Sequence, residues 1–199
     1  PQQNPGPPMW TTYVSVADAS ASAAAVTDAG GQLLVPAMDV MGQGVMAVCT
    51  DPGGAAFSLW QPQAHPGAGI VNEPGTLTWN ELTTRDFDAA KGFYATVFGW
   101  TAHDLDNPDM AYTEWQLDGR TIGGMMPMVG DMWPADLPNH WMVYFGSADT
   151  DATCTRLTEL GGTVHVPPFD TPAGRISVVT DPSGAVFSII TLDPARAAS

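Results

Sequence analysis

The sequence predicts an α+β chain of repeated βαβββ units. Three observations carry this. The segment VCTDPGGAAFSLW (48–60) is echoed by VVTDPSGAVFSII (178–190). The match extends backwards: Trp10 lies over Trp141, Asp18 over Asp149, Gly30-Gly31 over Gly161-Gly162, and Asp39 over Asp170. Between the copies lies a divergent third unit, marked by the amphipathic segment FDAAKGFYATVFGW (87–100). Similarity at a fixed spacing over some fifty residues is the signature of a repeated structural unit.

Each element follows in order. In repeat A (9–62), alternation over Trp10 to Val16 predicts a strand. Asp18 then stands at a helix N-cap, where its carboxylate accepts backbone N–H bonds. The helix runs to Gly30-Gly31, residues suited to the left-handed turn that ends helices. QLLVPAMDV, GVMAVCTD and AAFSLWQP complete the unit as three strands. A Pro- and Gly-rich linker (63–74) separates it from repeat B (75–128), as expected of a boundary. There GTLTWNELTTRD is a strand ending in a capping Asp. Phe87, Ala90, Phe93, Tyr94 and Val97 share one face of the following helix. TAHDLDN, MAYTEWQLDG and RTIGGMMPM are its three strands. The linker VGDMWPADLP leads to repeat C (139–192), with TVHVPPFDT, GRISVVTD and AVFSIITL after its helix.

Composition narrows the function classes. The chain of 199 residues has a formal charge of −15, with Lys91 its single lysine. Nucleic acid and anionic membranes both require clustered cations, so neither is an expected partner. No run of 18 apolar residues suggests a membrane span. PQQNPGPPMW lacks the charged and apolar regions of a signal peptide and reads as a Pro-rich linker. Cys49 and Cys154 have no CxxC spacing and are expected as reduced core thiols, which fits the cytoplasm. Abundant Ala, Gly and Pro with little Lys suggests a bacterial source of high GC content.

The motifs AAKGFYATVFGW, AGGQLLVPAMDVMGQGVMAVCTDPGGAAFSLWQP and ELGGTVHVPPFDTPAGRISVVTDPSGAVFSI resemble the vicinal oxygen chelate superfamily of glyoxalases, bleomycin resistance proteins and extradiol dioxygenases. More narrowly, the chain looks like the tandem glyoxalase-like proteins of actinobacterial type. The resemblance implies that two units pair into one cup-shaped mixed sheet around a ligand, with the helices on its outer face. Residues 75–199 are then expected to form a complete domain and residues 1–62 a half domain. A missing N-terminal segment or a second copy in a homodimer is expected to complete that half.

Alternation assigns side chains to sheet faces. In repeat B, Leu82 and Thr84 are expected to face the helix, and Trp79, Glu81 and Thr83 the ligand side. The ligand-side set in the other repeats includes Tyr13, Ser58 and Trp60, then Met142, Tyr144 and Ser188. Glu114 is a second acidic candidate, and Met126 contributes a deformable wall. The resemblance places the metal ligands of metal-dependent members on the first and last strands of each unit. Here those places hold Thr11, Trp79 and Met142, then Ser58 and Ser188. Hydroxyls, an indole and a thioether do not replace imidazoles and carboxylates, so no metal and no cofactor is expected. His65, His103, His140 and His165 show no ligand spacing.

Three functions remain open. One is a metal-free protein that binds a small aromatic or natural-product ligand and sequesters an antibiotic or metabolite. The second is a metal-independent lyase, isomerase, cyclase or hydroxylase of natural-product metabolism, with Glu81 as acid or base. The third is a structural or interaction module.

Overall fold

The computed structural model describes residues 7–106, 111–131 and 133–193. The architecture is mixed α+β, with three helices among the described residues. Chain contacts divide it into two compact units. One comprises Thr11–Gly69 and Asn80–Trp141, the other Pro1–Trp10, Ile70–Trp79 and Met142–Ser199.

The larger unit holds repeat A and most of repeat B. Repeat A contributes β1 (Tyr13–Ser15), α1 (Ala19–Asp28), β2 (Gln32–Asp39), β3 (Gly44–Thr50) and β4 (Ala56–Pro62), in sheet order β1-β4-β3-β2. β1 runs parallel to β4, and the other pairs are antiparallel. Repeat B contributes β5 (Leu77–Thr84, here from Asn80), α2 (Phe87–Phe98), β6 (Thr101–Asp104), β7 (Thr113–Leu117) and β8 (Arg120–Pro127). Their order, β5-β8-β7-β6, repeats the same pattern with β5 parallel to β8. The smaller unit holds β9 (His140–Gly146, here from Met142), α3 (Thr150–Glu159), β10 (Thr163–Thr171), β11 (Gly174–Thr180) and β12 (Val186–Leu192), in order β10-β11-β12-β9. The segment entering β5 runs beside the end of β9: Gly75 N–H donates to the Gly146 carbonyl, and Gly146 N–H to that of Thr76.

The caps form as the sequence predicts. Asp18, Asp86 and Asp149 each accept backbone N–H bonds from the first turn of their helix. Past the helix ends, Gly30 and Gly161 take φ of 91° and 90°, a backbone region that costs other residues dearly. The first strand is shorter than alternation over Trp10 to Val16 predicts. Trp10 instead packs edge-on against Phe145 and Phe187, at ring distances of 4.9 and 6.2 Å. Those contacts draw it away from the ladder that β1 makes with β4. Parts of the predicted strands 101–107 and 110–119, including Asn107 and Met110, lie outside the described residues, as does Met132 of the linker before repeat C.

The core of the larger unit joins Val26, Cys49, Phe57 and Leu59 of repeat A to Leu82, Phe93, Tyr94, Trp115 and Met125 of repeat B. Its centre is Tyr94. The Tyr94 hydroxyl donates to Asp51 Oδ2 at 3.1 Å and accepts from Trp141 Nε1–H at 2.9 Å. The smaller unit packs Cys154 and Leu157 of α3 on Val179 and Ile189 of its sheet. Cys49 and Cys154 are both free and buried; burial pushes the Cys49 thiol up to about 11.

Candidate functional site

The parallel pairing of first and last strands places three pairs of residues in equivalent positions. Tyr13 lies opposite Ser58, Glu81 opposite Gly124, and Tyr144 opposite Ser188. The next strand continues each row with Val48, Glu114 and Val178. In repeat B the row extends to His103 on β6. Side chains alternate across a sheet, and Leu82, Met125 and Trp115 are committed to the core with α2. Glu81, Gly124 and Glu114 therefore share the face turned away from that helix.

Glu81 is 7% exposed. A carboxylate so buried is costly unless hydrogen-bonded. Here the Tyr112 hydroxyl donates to Glu81 Oε2 at 2.8 Å. Tyr112 precedes Glu114 by two residues, so alternation puts both on one face. The Thr121 hydroxyl donates to Glu114 Oε2 at 3.2 Å. Gly124 leaves β8 without a side chain between the two acids. Thr83 is buried beside Glu81's row, opposite half-buried Met126.

The predicted residues thus fall into three groups. Glu81, Glu114 and Met126 stand on the sheet of repeat B. Tyr13, Ser58 and Trp60 stand on that of repeat A, with Tyr13 50% exposed and Ser58 buried. Met142, Tyr144 and Ser188 stand in the smaller unit, which also holds Trp79. Tyr144 is 8% exposed, and the buried Ser188 hydroxyl has no hydrogen-bond partner among the described residues. Sequence reasoning passed over Tyr112 and Gly124. Alternation within YTEWQ gives Tyr112 the same face as Glu114, but that it reaches Glu81, 31 residues away, is a fact of sheet pairing.

A second polar centre lies on the helix side. Asp51 is buried, and a cavity of about 70 Å³ runs between its turn and the start of α2, lined by Thr84, Asp86 and Ala90. Burial pushes the Asp51 carboxyl above its ordinary value, against the opposing pull of hydrogen bonds from Ala55 and Tyr94. Among the described residues, no group of three or more His, Cys, Asp or Glu is arranged to hold a metal ion. None of their helices is long and apolar enough to cross a membrane.

Residues 74–189 match the family model described as the Glyoxalase/Bleomycin resistance protein/Dioxygenase superfamily. The chain is 42% identical over 192 residues to the glyoxylase-like protein CFP32 of Mycobacterium bovis, covering 94% of this chain and 71% of that protein. It is 38% identical over 195 residues to the anthracycline biosynthesis protein DauV of Streptomyces sp. strain C5, covering 97% of this chain and 69% of that protein. Among solved structures, the Mn(II)-bound glyoxalase from Novosphingobium aromaticivorans gives a TM-score of 0.58 at 18% identity, over 91% of this chain and 62% of that one. At that identity the likeness is one of fold.

Proposed function

The chain belongs to the Glyoxalase/Bleomycin resistance protein/Dioxygenase superfamily, and from that premise we propose that it binds a small, flat natural product of polycyclic aromatic type without a metal. The observation that carries this is the hydrogen bond from half-buried Tyr112 to buried Glu81, on the sheet face turned away from α2. A ligand site needs a few fixed polar groups among apolar walls, and this pair supplies them. The similarity to an anthracycline biosynthesis protein supports the ligand class.

Metal independence belongs to the same proposal. The side chains at the family's metal-ligand places, Thr11, Trp79, Met142, Ser58 and Ser188, do not fit a divalent ion. In repeat B the place equivalent to Ser58 and Ser188 holds Gly124, which offers no donor at all. A cytoplasmic location and a bacterial source complete the proposal. So does a partner at the outer side of β1, either a second copy or a further repeat.

The same carboxylate favours a second reading, a metal-independent enzyme with Glu81 as acid or base. One experiment addresses both. An anthracycline is titrated into the protein by calorimetry, with and without a chelator, and again with Glu81→Gln. Saturable binding indifferent to the chelator is expected. Binding of a neutral ligand survives in the variant under both readings, and chromatography of the same mixtures separates them: a product formed by the wild type and lost in Glu81→Gln marks the enzyme, and no product marks the binder. Absence of saturable binding, or its loss on chelation, would sink the proposal.

A further inference from the structure

Comparison of the three repeats isolates repeat B. Where it places Glu81, repeats A and C place Tyr13 and Tyr144. Where it places Glu114, they place Val48 and Val178. Two residues before Glu114 stands Tyr112; two residues before Val48 and Val178 stand Met46 and Ile176. The same βαβββ sheet thus forms twice with no carboxylate in this patch, Ser58 and Ser188 standing where repeat B has Gly124. The scaffold does not require the polar set, and a buried carboxylate opposes folding unless it is paired. Its presence in one repeat needs another reason.

We propose that Tyr112 is the positioning residue of Glu81. Its O–H, 2.8 Å from Oε2, holds the carboxylate in one orientation and favours the ionised form. A hydroxyl donating to an ionised carboxylate is among the stronger hydrogen bonds a protein makes. Tyr112 thereby sets both the direction and the protonation state of the acid presented at the sheet face. The inference rests on the reading of Glu81 as the ligand-facing group. It adds a residue to that reading, in the repeat that differs from its siblings.

The test needs no ligand. The chain has four glutamates, so selective carboxyl labelling gives a short spectrum in which Glu81→Gln identifies one resonance. In Tyr112→Phe the titration midpoint of Glu81 is expected to rise, as a donor to the charged form is lost. If Tyr112→Phe does not fold, fluorinated tyrosine incorporated into the wild-type chain makes a stronger donor and must lower the midpoint instead. A Glu81 midpoint indifferent to both changes overturns the pairing, whatever Glu81→Gln does to binding. A midpoint that moves as expected, in a protein that shows no saturable anthracycline binding, leaves the pairing standing and removes the ligand-binding reading.

Discussion

Asp51 and Asp181 occupy the same place in two copies of one turn and meet different surroundings. Asp181 accepts from the Ser183 hydroxyl at 2.6 Å and from the Ala185 N–H at 3.0 Å, and these bonds hold its carboxyl below the ordinary value. Repeat A has Gly53 where repeat C has Ser183, so the Asp51 turn lacks that hydroxyl. Asp51 is 3% exposed, and the Tyr94 hydroxyl reaches it instead. Burial dominates and raises its pKa above the ordinary 3.8. The sign of the consequence follows by linkage. An acid whose folded pKa lies above its unfolded pKa binds more protons when folded. Its contribution to stability is most favourable below 3.8 and is lost as pH rises through the folded value. The stability of the wild type relative to Asp51→Asn should therefore fall as pH rises above the ordinary carboxylate value of 3.8, as read from thermal unfolding of both proteins. A difference independent of pH would show that Asp51 titrates normally. Glu81 illustrates the other limit of reading single residues. Strand alternation pointed to its face, but the sequence held no sign that Tyr112 was its partner.

The βαβββ element has a close approach built into its helix-to-strand turn. A Cβ on Gly31 would stand 2.5 Å from the Thr50 carbonyl oxygen and 2.7 Å from a Val26 methyl. On Gly162 it would meet the Leu157 side chain at 2.5 Å and the Thr180 carbonyl oxygen at 2.7 Å. Gly31 and Gly162 hold equivalent places, and Thr50 and Thr180 end equivalent strands. Helix and sheet are packed there too closely for a side chain. Gly31→Ala and Gly162→Ala should each cost about 1–3 kcal/mol in urea unfolding, through overpacking against backbone that cannot yield. A neutral effect at both would mean that the helices stand off the sheet. Elements of this kind were legible beforehand because their signals are local. Asp before the helix, Gly after it and the Asp-Pro turn act within a few residues of chain. Element ends were less legible. The first strand shrank to Tyr13–Ser15 because Trp10 found aromatic partners some 135 to 177 residues away in sequence.

For the whole molecule, the unequal fates of Tyr13 and Tyr144 are the telling comparison. They share a register place, yet Tyr13 is 50% exposed and Tyr144 8%. β9 has the segment entering β5 along its far side, whereas β1 has β4 on one side and, among the described residues, no strand on the other. Open edges of this kind invite pairing. If a second copy is the partner, association must overcome repulsion between two chains of charge −15. Light scattering should then give a mass above that of one chain at about 0.5 M salt and a lower one at about 0.01 M. The mass of a single chain at both would discard the second copy. The sequence by itself determined the repeated βαβββ units, their caps and turns, and the donor types at the expected ligand places, because these depend on neighbours in the chain and on residue chemistry. Only the tertiary structure decided that Tyr112 meets Glu81, that Gly124 separates two acids, and that Asp51 is buried while Asp181 is not. Each of those depends on which strands and helices pack together, and an amino-acid type carries no record of the partner that folding brings to it.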